Sequence, residues 1–282
     1  MAVRIPRGMK LVNLLLGSWT AVIMLFLYLP IVILIVYSFN TSKSNIRWEG
    51  FTFDWYHRMF LDKPLVTALN ISLLIAVVVT VLSVILGTLG AWLLYRYRFP
   101  FPRITNTLIF IPMVIPEIIM GISLLIFFAT VNSWGNGLLN HMGLTDSNPL
   151  SLGLTTVIIA HVTFCFPFVL IAVQARLAGV DPALEEAAMD LGATPMKAFL
   201  YVMVPYLLPA IISGALMSFT LSMDELIVTY FTSSAASQTL PMVIFGRVKK
   251  GLDPSLNAIS TLFIISTALL VVVAEWVKKW NK

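Results

Sequence analysis

Three acidic residues lie in long apolar stretches of the sequence, where ionised side chains are unfavourable. Glu117 lies in FIPMVIPEIIMG (110–121), and Asp224 and Glu225 lie in LSMDELIV (221–228). A charge at the centre of a membrane helix costs about 2.5 to 3.5 kcal/mol on insertion scales, so each one needs a partner or a function. No lysine or arginine lies in the central part of any apolar stretch. A cationic substrate would supply the missing positive charge, so these residues are predicted to line a substrate pathway.

Other interpretations of the three carboxyl groups stay open at this point. They could be protonated, or hydrogen-bonded to serine and threonine across helices, and serve packing alone. They could also bind protons or sodium ions in a self-contained secondary transporter. His161, in another apolar stretch, could be a proton site, although a hydrogen-bonded structural role is favoured. No group of residues has the spacing of metal ligands, so no metal site is expected.

Small residues recur near Glu225 and in an earlier apolar stretch. Four of them precede Glu225 at intervals of four, namely Ala210, Gly214, Ser218 and Ser222. Such a stripe lets a second helix approach closely, and Glu225 falls on it. Asp224 lies about 100° away around the helix, so the two carboxylates should face different surroundings. A second close-packing face is predicted from Ser83, Gly87 and Ala91.

The composition places the chain in a lipid bilayer. Hydrophobic residues make up 59% of it and charged residues only 11%, whereas soluble domains carry about 25% charged residues. A helix that crosses the hydrocarbon needs roughly 20 apolar residues. Six stretches meet this length: 11–39, 66–95, 105–131, 153–175, 206–231 and 257–277. The sequence therefore predicts an all-α integral membrane protein with six transmembrane helices, and Glu117 lies about halfway along the third.

The arginines next to the apolar stretches predict the orientation. The connection RYRFPFPR (96–103) has three arginines and no acid, whereas the connection 132–152 has neither lysine nor arginine. Because positive residues favour the cytoplasmic side, both termini are predicted to face the cytoplasm. The net charge of +5 is explained by this topology, so no nucleic-acid partner is expected, and membrane lipid surrounds the chain.

Motifs for nucleotide and cofactor binding are missing from the sequence. It contains no P-loop, no GxGxxG and no HExxH, and Cys165 is its only cysteine. The chain is therefore expected to be neither an ATPase nor another enzyme, and to hold no cofactor. If ATP drives its function, a separate polypeptide must bind and hydrolyse it.

A polar segment interrupts the apolar pattern between the fourth and fifth predicted spans. This polar loop (179–205) contains LEEAAMDLG (184–192). Asp181 is a good N-cap with Pro182 at the first helical position, and Gly192 can close the helix. A second start follows at once, with Thr194 as the cap and Pro195 behind it. The loop is therefore predicted to be a helix, a glycine turn and another helix on the cytoplasmic side.

Two surfaces could receive the first helix of the polar loop. Many helices in inner loops lie on lipid headgroups, but such helices carry lysine and arginine towards anionic lipid. The first helix here has three acidic residues, Glu185, Glu186 and Asp190, and no basic one. Its charge is better suited to a protein partner.

The polar loop resembles a motif of permease subunits from bacterial ABC importers. In that motif, EAA-x3-G-x9-I-x-L-P, the matching residues here are Glu186, Ala187, Ala188, Gly192, Val202, Val204 and Pro205. Valine replaces isoleucine and leucine at the aliphatic positions. The resemblance implies that this loop docks on a cytoplasmic ATPase. The expected ATPase-coupling residues are Glu185, Glu186, Ala187, Ala188, Asp190 and Gly192.

The resemblance extends over essentially the whole chain. It implies a type I importer (MetI-like) permease fold, with a peripheral helix and first periplasmic loop in 1–65 and a five-helix core in 66–282. The phrases AHVTFCFPFV, VPYLLPAIISG and FTLSMDELIVTYF are similar to the spermidine/putrescine branch, closest to its second permease. That branch implies a homologous second permease, two copies of a cytoplasmic ATPase, a periplasmic polyamine-binding protein and a location in the bacterial inner membrane.

Three functions are compatible with these features to different degrees. The favoured one is a permease subunit that moves polyamines inward by alternating access, and a variant of it carries another small cationic substrate. A secondary transporter coupled to cations or protons would need no acidic loop, and such transporters commonly show internal repeats that are not evident here. An assembly factor would explain neither the loop nor the membrane carboxylates.

Overall fold

The chain is almost entirely helical in the computed structural model, which describes residues 7–43, 47–97, 100–141, 151–181, 183–249 and 254–280. These residues contain no strand, only an isolated bridge between Asn40 and Phe51. The helices are α1 (Arg7–Tyr37), α2 (Asp54–Leu61), α3 (Lys63–Arg96), α4 (Pro102–Val114), α5 (Glu117–His141), α6 (Leu154–Leu177), α7 (Ala183–Asp190), α8 (Pro195–Ala198), α9 (Val204–Asp224), α10 (Ile227–Thr232), α11 (Leu240–Val248) and α12 (Pro254–Trp280). A π-helical segment, Phe199–Met203, joins α8 to α9.

Among the residues that the structure describes, five helical stretches are long and apolar enough to cross a membrane. They are Val12–Tyr37, Lys63–Arg96, Glu117–Asn136, Leu154–Leu177 and Pro195–Asp224. The sixth predicted span corresponds to α12, which is apolar over Pro254–Leu269. The prediction of an all-α, multi-pass membrane protein is confirmed.

The third predicted span, 105–131, is wrong as a single helix. The helix is interrupted between α4 and α5 at Ile115 and Pro116, where Ile115 has an extended backbone with ψ 129°. Proline lacks an N–H donor and disfavours the helical conformation in the residue before it, so helix α4 ends there. Glu117 therefore begins α5 instead of lying halfway along a span.

The fifth predicted span, 206–231, is also interrupted. Helix α9 ends at Asp224, Glu225 is extended with ψ 111°, and α10 begins at Ile227. No proline or glycine lies at this break. The break is instead stabilised by hydrogen bonds of the residues around it, which lie in the candidate site described below.

The larger of two compact units comprises residues 63–246 and 267–282. Helices α3, α6 and α9 pack against one another in it, with Val169 of α6 at the closest point. A Cβ added at Gly87 would lie 2.7 Å from the Val169 Cβ, and one added at Gly214 would lie 3.1 Å from the Val169 Cα. The close-packing faces predicted from Gly87 and Gly214 are therefore confirmed, because only residues without a side chain allow this approach.

The other unit comprises residues 1–62 and 247–266. The side chain of Asn40 organises the connection after α1, because it donates to the Arg47 carbonyl at 2.6 Å and accepts from the Glu49 N–H at 2.9 Å. Arg247 forms a two-pronged ion pair with Asp62, at 2.6 and 2.8 Å. Aromatic rings cover this connection, and those of Phe39 and Phe51 stack at 5.2 Å.

Candidate functional sites

The polar loop has the helix, glycine turn and helix that its sequence predicts. The Asp181 carboxylate accepts from the N–H of Ala183 at 3.0 Å and caps α7, while Pro182 lies outside the described residues. Gly192 follows α7 with φ +89°, a conformation that favours glycine. Thr194 then accepts from the N–H of Lys197 at 3.4 Å and caps α8. These local predictions are confirmed.

The second half of the polar loop runs without interruption into α9. The N–H of Val204 bonds to the carbonyl of Phe199, which is the wider spacing of a π-helix. Phe199 is buried, and its ring lies 4.4 Å from that of Trp92 on α3. This contact joins the π-helical segment of the loop to α3.

Glu185 faces the interior of the unit. Its side chain accepts a hydrogen bond from Arg96 at the end of α3, and the residue is only 6% exposed. Arg96 also contacts the Met189 sulfur at 3.5 Å and lies over the Trp92 ring. The coupling role expected for Glu185 stays a prediction, and in the structure its side chain fastens α7 to α3.

The remaining residues of the predicted coupling set lie on the open side of the loop. Glu186, Ala187, Asp190 and Gly192 are exposed, and Ala188 is half-buried. Leu191, which the sequence analysis did not single out, is 91% exposed. The sequence indicates this exposed residue only by the position of a single leucine between an acidic helix and a glycine turn. The open face thus combines two carboxylates with a protruding apolar side chain.

The carboxylate cluster, defined as Glu117, Asp224 and Glu225, lies at the two helix breaks. Glu117 begins α5 and is exposed, Asp224 ends α9 and is exposed, and Glu225 is buried between α9 and α10. Helix α5 packs against α10, so the structure brings Glu117 to the side of the break that holds Asp224 and Glu225, more than 100 positions later in the sequence. The prediction that Asp224 and Glu225 face different surroundings is confirmed.

Helix α5 packs directly against α10 beside this cluster. A Cβ added at Gly121 would lie 2.6 Å from the Phe231 ring. Glu225 stabilises the start of α10, because its carboxylate accepts from the N–H of Val228 at 2.8 Å. The two breaks are thus held side by side, and each exposes a carboxylate.

His161 has the hydrogen-bonded structural role that the sequence analysis favours. It is buried, and its Nδ1 lies 2.9 Å from the Ser222 hydroxyl oxygen and its Nε2 lies 2.8 Å from the Thr229 hydroxyl oxygen. Ser222 belongs to α9 and Thr229 to α10, so His161 of α6 contacts both sides of the second break. Sequence reasoning missed Thr229, for which no local signal exists.

The fold and these sites define a class of protein. Several apolar helices, two of them interrupted, place carboxylates at their breaks. Interrupted helices of this kind form binding sites in membrane transport proteins, because the freed helix ends and the charged groups face a pathway and not lipid. The molecule is therefore a multi-pass membrane transport protein.

Comparison with known proteins identifies the family. Residues 80–281 match the family described as the inner membrane component of binding-protein-dependent transport systems, and the chain belongs to this family. It is 37% identical to the spermidine/putrescine transport system permease protein PotC of Haemophilus influenzae, over 94% of this chain and 96% of the relative. It is 39% identical to the putrescine transport system permease protein PotI of Escherichia coli strain K12, over 92% and 90%.

A solved structure shows the same fold at lower sequence identity. A bacterial ABC transporter that imports the acidic polysaccharide alginate superposes with a TM-score of 0.72 and 17% identity, over 97% of this chain and 99% of that chain. The transported molecule of that protein is acidic, so the fold by itself does not determine the substrate. Substrate preference has to be sought in individual side chains.

The family membership decides between the alternatives that the sequence left open. The chain is a permease subunit of a binding-protein-dependent transport system in the bacterial inner membrane. The secondary transporter and the assembly factor are therefore excluded. The protein moves a substrate and is not an enzyme.

Proposed function

We propose that the protein carries putrescine or spermidine inward as one of two permease subunits of its importer. Support comes from the two relatives, whose names state polyamine transport and which align over nearly the whole chain. The observation that carries the proposal is the carboxylate cluster, in which Glu117, Asp224 and Glu225 lie together at two helix breaks. Putrescine and spermidine carry ammonium groups at separate positions, and each ammonium group can pair with a carboxylate of the cluster.

The helix ends beside the cluster fit a cation. Asp224 lies at the carboxyl end of α9, where the partial negative charge of the helix dipole attracts a positive ligand. Glu117 lies in the first turn of α5, where the opposite end of a dipole stabilises the ionised carboxylate. Helices α5, α9 and α10 contain no lysine or arginine that would compete for these groups. Another small organic cation is the second candidate substrate.

The partners follow from the same proposal. A homologous second permease completes the pathway, two cytoplasmic ATPases supply the energy, and a periplasmic polyamine-binding protein delivers the substrate. The exposed residues Glu186, Ala187, Asp190 and Gly192, with the half-buried Ala188, form the contact with one ATPase. Glu185 supports that contact through Arg96. ATP itself binds to the ATPases, and this chain needs no cofactor.

Uptake by variants of the carboxylate cluster tests the substrate pathway. Glu117→Gln, Asp224→Asn and Glu225→Gln each replace a carboxyl group with an amide of similar size that still forms hydrogen bonds. In the assembled importer, uptake of labelled putrescine or spermidine should fall at least about tenfold, which corresponds to ~1.4 kcal/mol. Binding of the ATPase should persist.

Glu49→Gln is the matched control, because Glu49 is an exposed carboxylate of the other compact unit. Its uptake should equal that of the unmodified protein. Unchanged uptake in all three cluster variants would contradict the proposed pathway. Competition by unlabelled organic monocations as strong as that by polyamines would favour the second candidate substrate.

A further inference from the structure

The break between α9 and α10 is spanned by a buried chain of hydrogen bonds. His161 is 1% exposed, and Ser222 and Thr229 on either side of it are also buried. The Thr229 hydroxyl donates to the backbone carbonyl of Glu225 at 2.9 Å. The chain of contacts therefore runs from α6 to the residue at which the helix is interrupted.

The available hydrogen-bond donors determine which ring nitrogen of His161 carries the proton. A threonine hydroxyl has one proton, and Thr229 uses it for the Glu225 carbonyl, so its contact with Nε2 of His161 must be one that it accepts. His161 therefore carries a proton on Nε2. In this neutral form of the ring, Nδ1 accepts a hydrogen bond from the Ser222 hydroxyl. Both ring nitrogens and both hydroxyl groups then have a partner.

These hydrogen bonds reach Glu225 at its backbone carbonyl, while the side chain of Glu225 contacts the start of α10. The Glu225 carboxylate caps the N–H of Val228, and the Glu225 carbonyl, which an uninterrupted helix would satisfy, is satisfied by Thr229. Unsatisfied backbone groups are strongly unfavourable in apolar surroundings, so these hydrogen bonds stabilise one particular geometry of the break. Asp224 and Glu225 then project from fixed backbone positions.

We propose that His161 is a positioning residue for transport: it holds the α9–α10 break through Ser222 and Thr229 and so sets the placement of the Asp224 and Glu225 carboxylates. The inference rests on the proposed function, because it assigns the role of His161 through the carboxylate cluster. His161 itself does not contact the substrate.

Conservative and disruptive variants test this role in the assembled importer. Thr229→Val removes the hydroxyl at nearly constant shape, and Thr229→Ser keeps it. His161→Leu removes both contacts, while His161→Gln retains a donor in place of Nε2. Uptake per assembled complex should fall about tenfold in Thr229→Val and His161→Leu, as expected for a buried hydrogen-bonding group left unpaired. Thr229→Ser and His161→Gln should recover most of it.

Two further measurements separate positioning from general stability. ATP hydrolysis stimulated by the loaded binding protein, per assembled complex, should stay close to its normal value in Thr229→Val while uptake falls. Thr220→Val is the matched control, since the Thr220 hydroxyl bonds to Leu216 of its own helix at 2.9 Å. This variant should change neither quantity.

A double-mutant cycle with Glu225→Gln completes the test. If His161 acts through Glu225, adding His161→Leu to Glu225→Gln should lower uptake by less than about twofold, because coupled residues are not additive. Two results would overturn this inference alone, provided that Glu225→Gln by itself reduces uptake. One is that the effects of His161→Leu and Glu225→Gln on uptake multiply in the double variant, and the other is that ATP hydrolysis falls in parallel with uptake in Thr229→Val. Unchanged uptake in Glu225→Gln would overturn the proposed pathway and the inference with it.

Discussion

Glu185 and Glu186 are neighbours in the sequence, yet their side chains have opposite surroundings. Glu185 is buried against Arg96, whereas Glu186 is exposed on the open side of α7. The sequence predicted a partner contact for both, because the spacing of a short helix does not reveal that Arg96, 89 positions earlier, lies beneath it. Glu185 thus supports the loop, and Glu186 is available to a second protein.

The different surroundings of these two residues predict different effects of the same substitution. Glu185→Gln should destabilise the purified protein by about 1 to 2 kcal/mol, towards the lower end for charged hydrogen bonds because the Arg96 side chain is 21% exposed. Glu186→Gln should have almost no effect on the thermal unfolding midpoint. Exchanging the pair, Glu185→Arg with Arg96→Glu, should recover part of the loss. Equal midpoints for the two single variants would contradict the assignment.

Helices α7 and α8 form where the sequence predicts them because their signals are local. Asp181, Gly192, Thr194 and Pro195 lie within a few residues of the helix ends that they determine. The breaks at Pro116 and Glu225 were harder to predict. The stretch 105–131 was predicted as one span although Pro116 lies within it, and Glu225 has no local signal, since Thr229 and His161 stabilise its conformation through the fold.

The glycine turn after α7 provides a prediction for the loop as an element. Gly192 has φ +89° and no atom within 4 Å of an added Cβ, so a side chain there would cause backbone strain without a clash. Gly192→Val should cost about 1 to 2 kcal/mol and misdirect α7, while Gly192→Asn should be milder because asparagine tolerates positive φ. ATP hydrolysis stimulated by the loaded binding protein should therefore fall more in Gly192→Val. Equal activity of both variants would show that the turn does not determine coupling.

The molecule as a whole was predictable in its class and less so in its details. Apolar length and composition are sufficient to predict a multi-pass helical protein, because a bilayer allows few backbone arrangements. The motif in the polar loop added the family, which the comparisons confirm. Long-range contacts such as Arg96 with Glu185 are properties of the folded chain and cannot be read from spacing. The division at residue 65, the roles of the site residues and the identity of the partners stay predictions.

The open face of α7 and the turn that follows it are proposed to contact a separate ATPase. The most direct test of this contact is crosslinking in native membranes from a cysteine at Asp190→Cys or Leu191→Cys, with Glu49→Cys as the exposed control in the other unit. We expect an adduct between each loop cysteine and the ATP-hydrolysing subunit, and none from the control. Adducts with lipid alone from both loop positions would contradict the proposed contact.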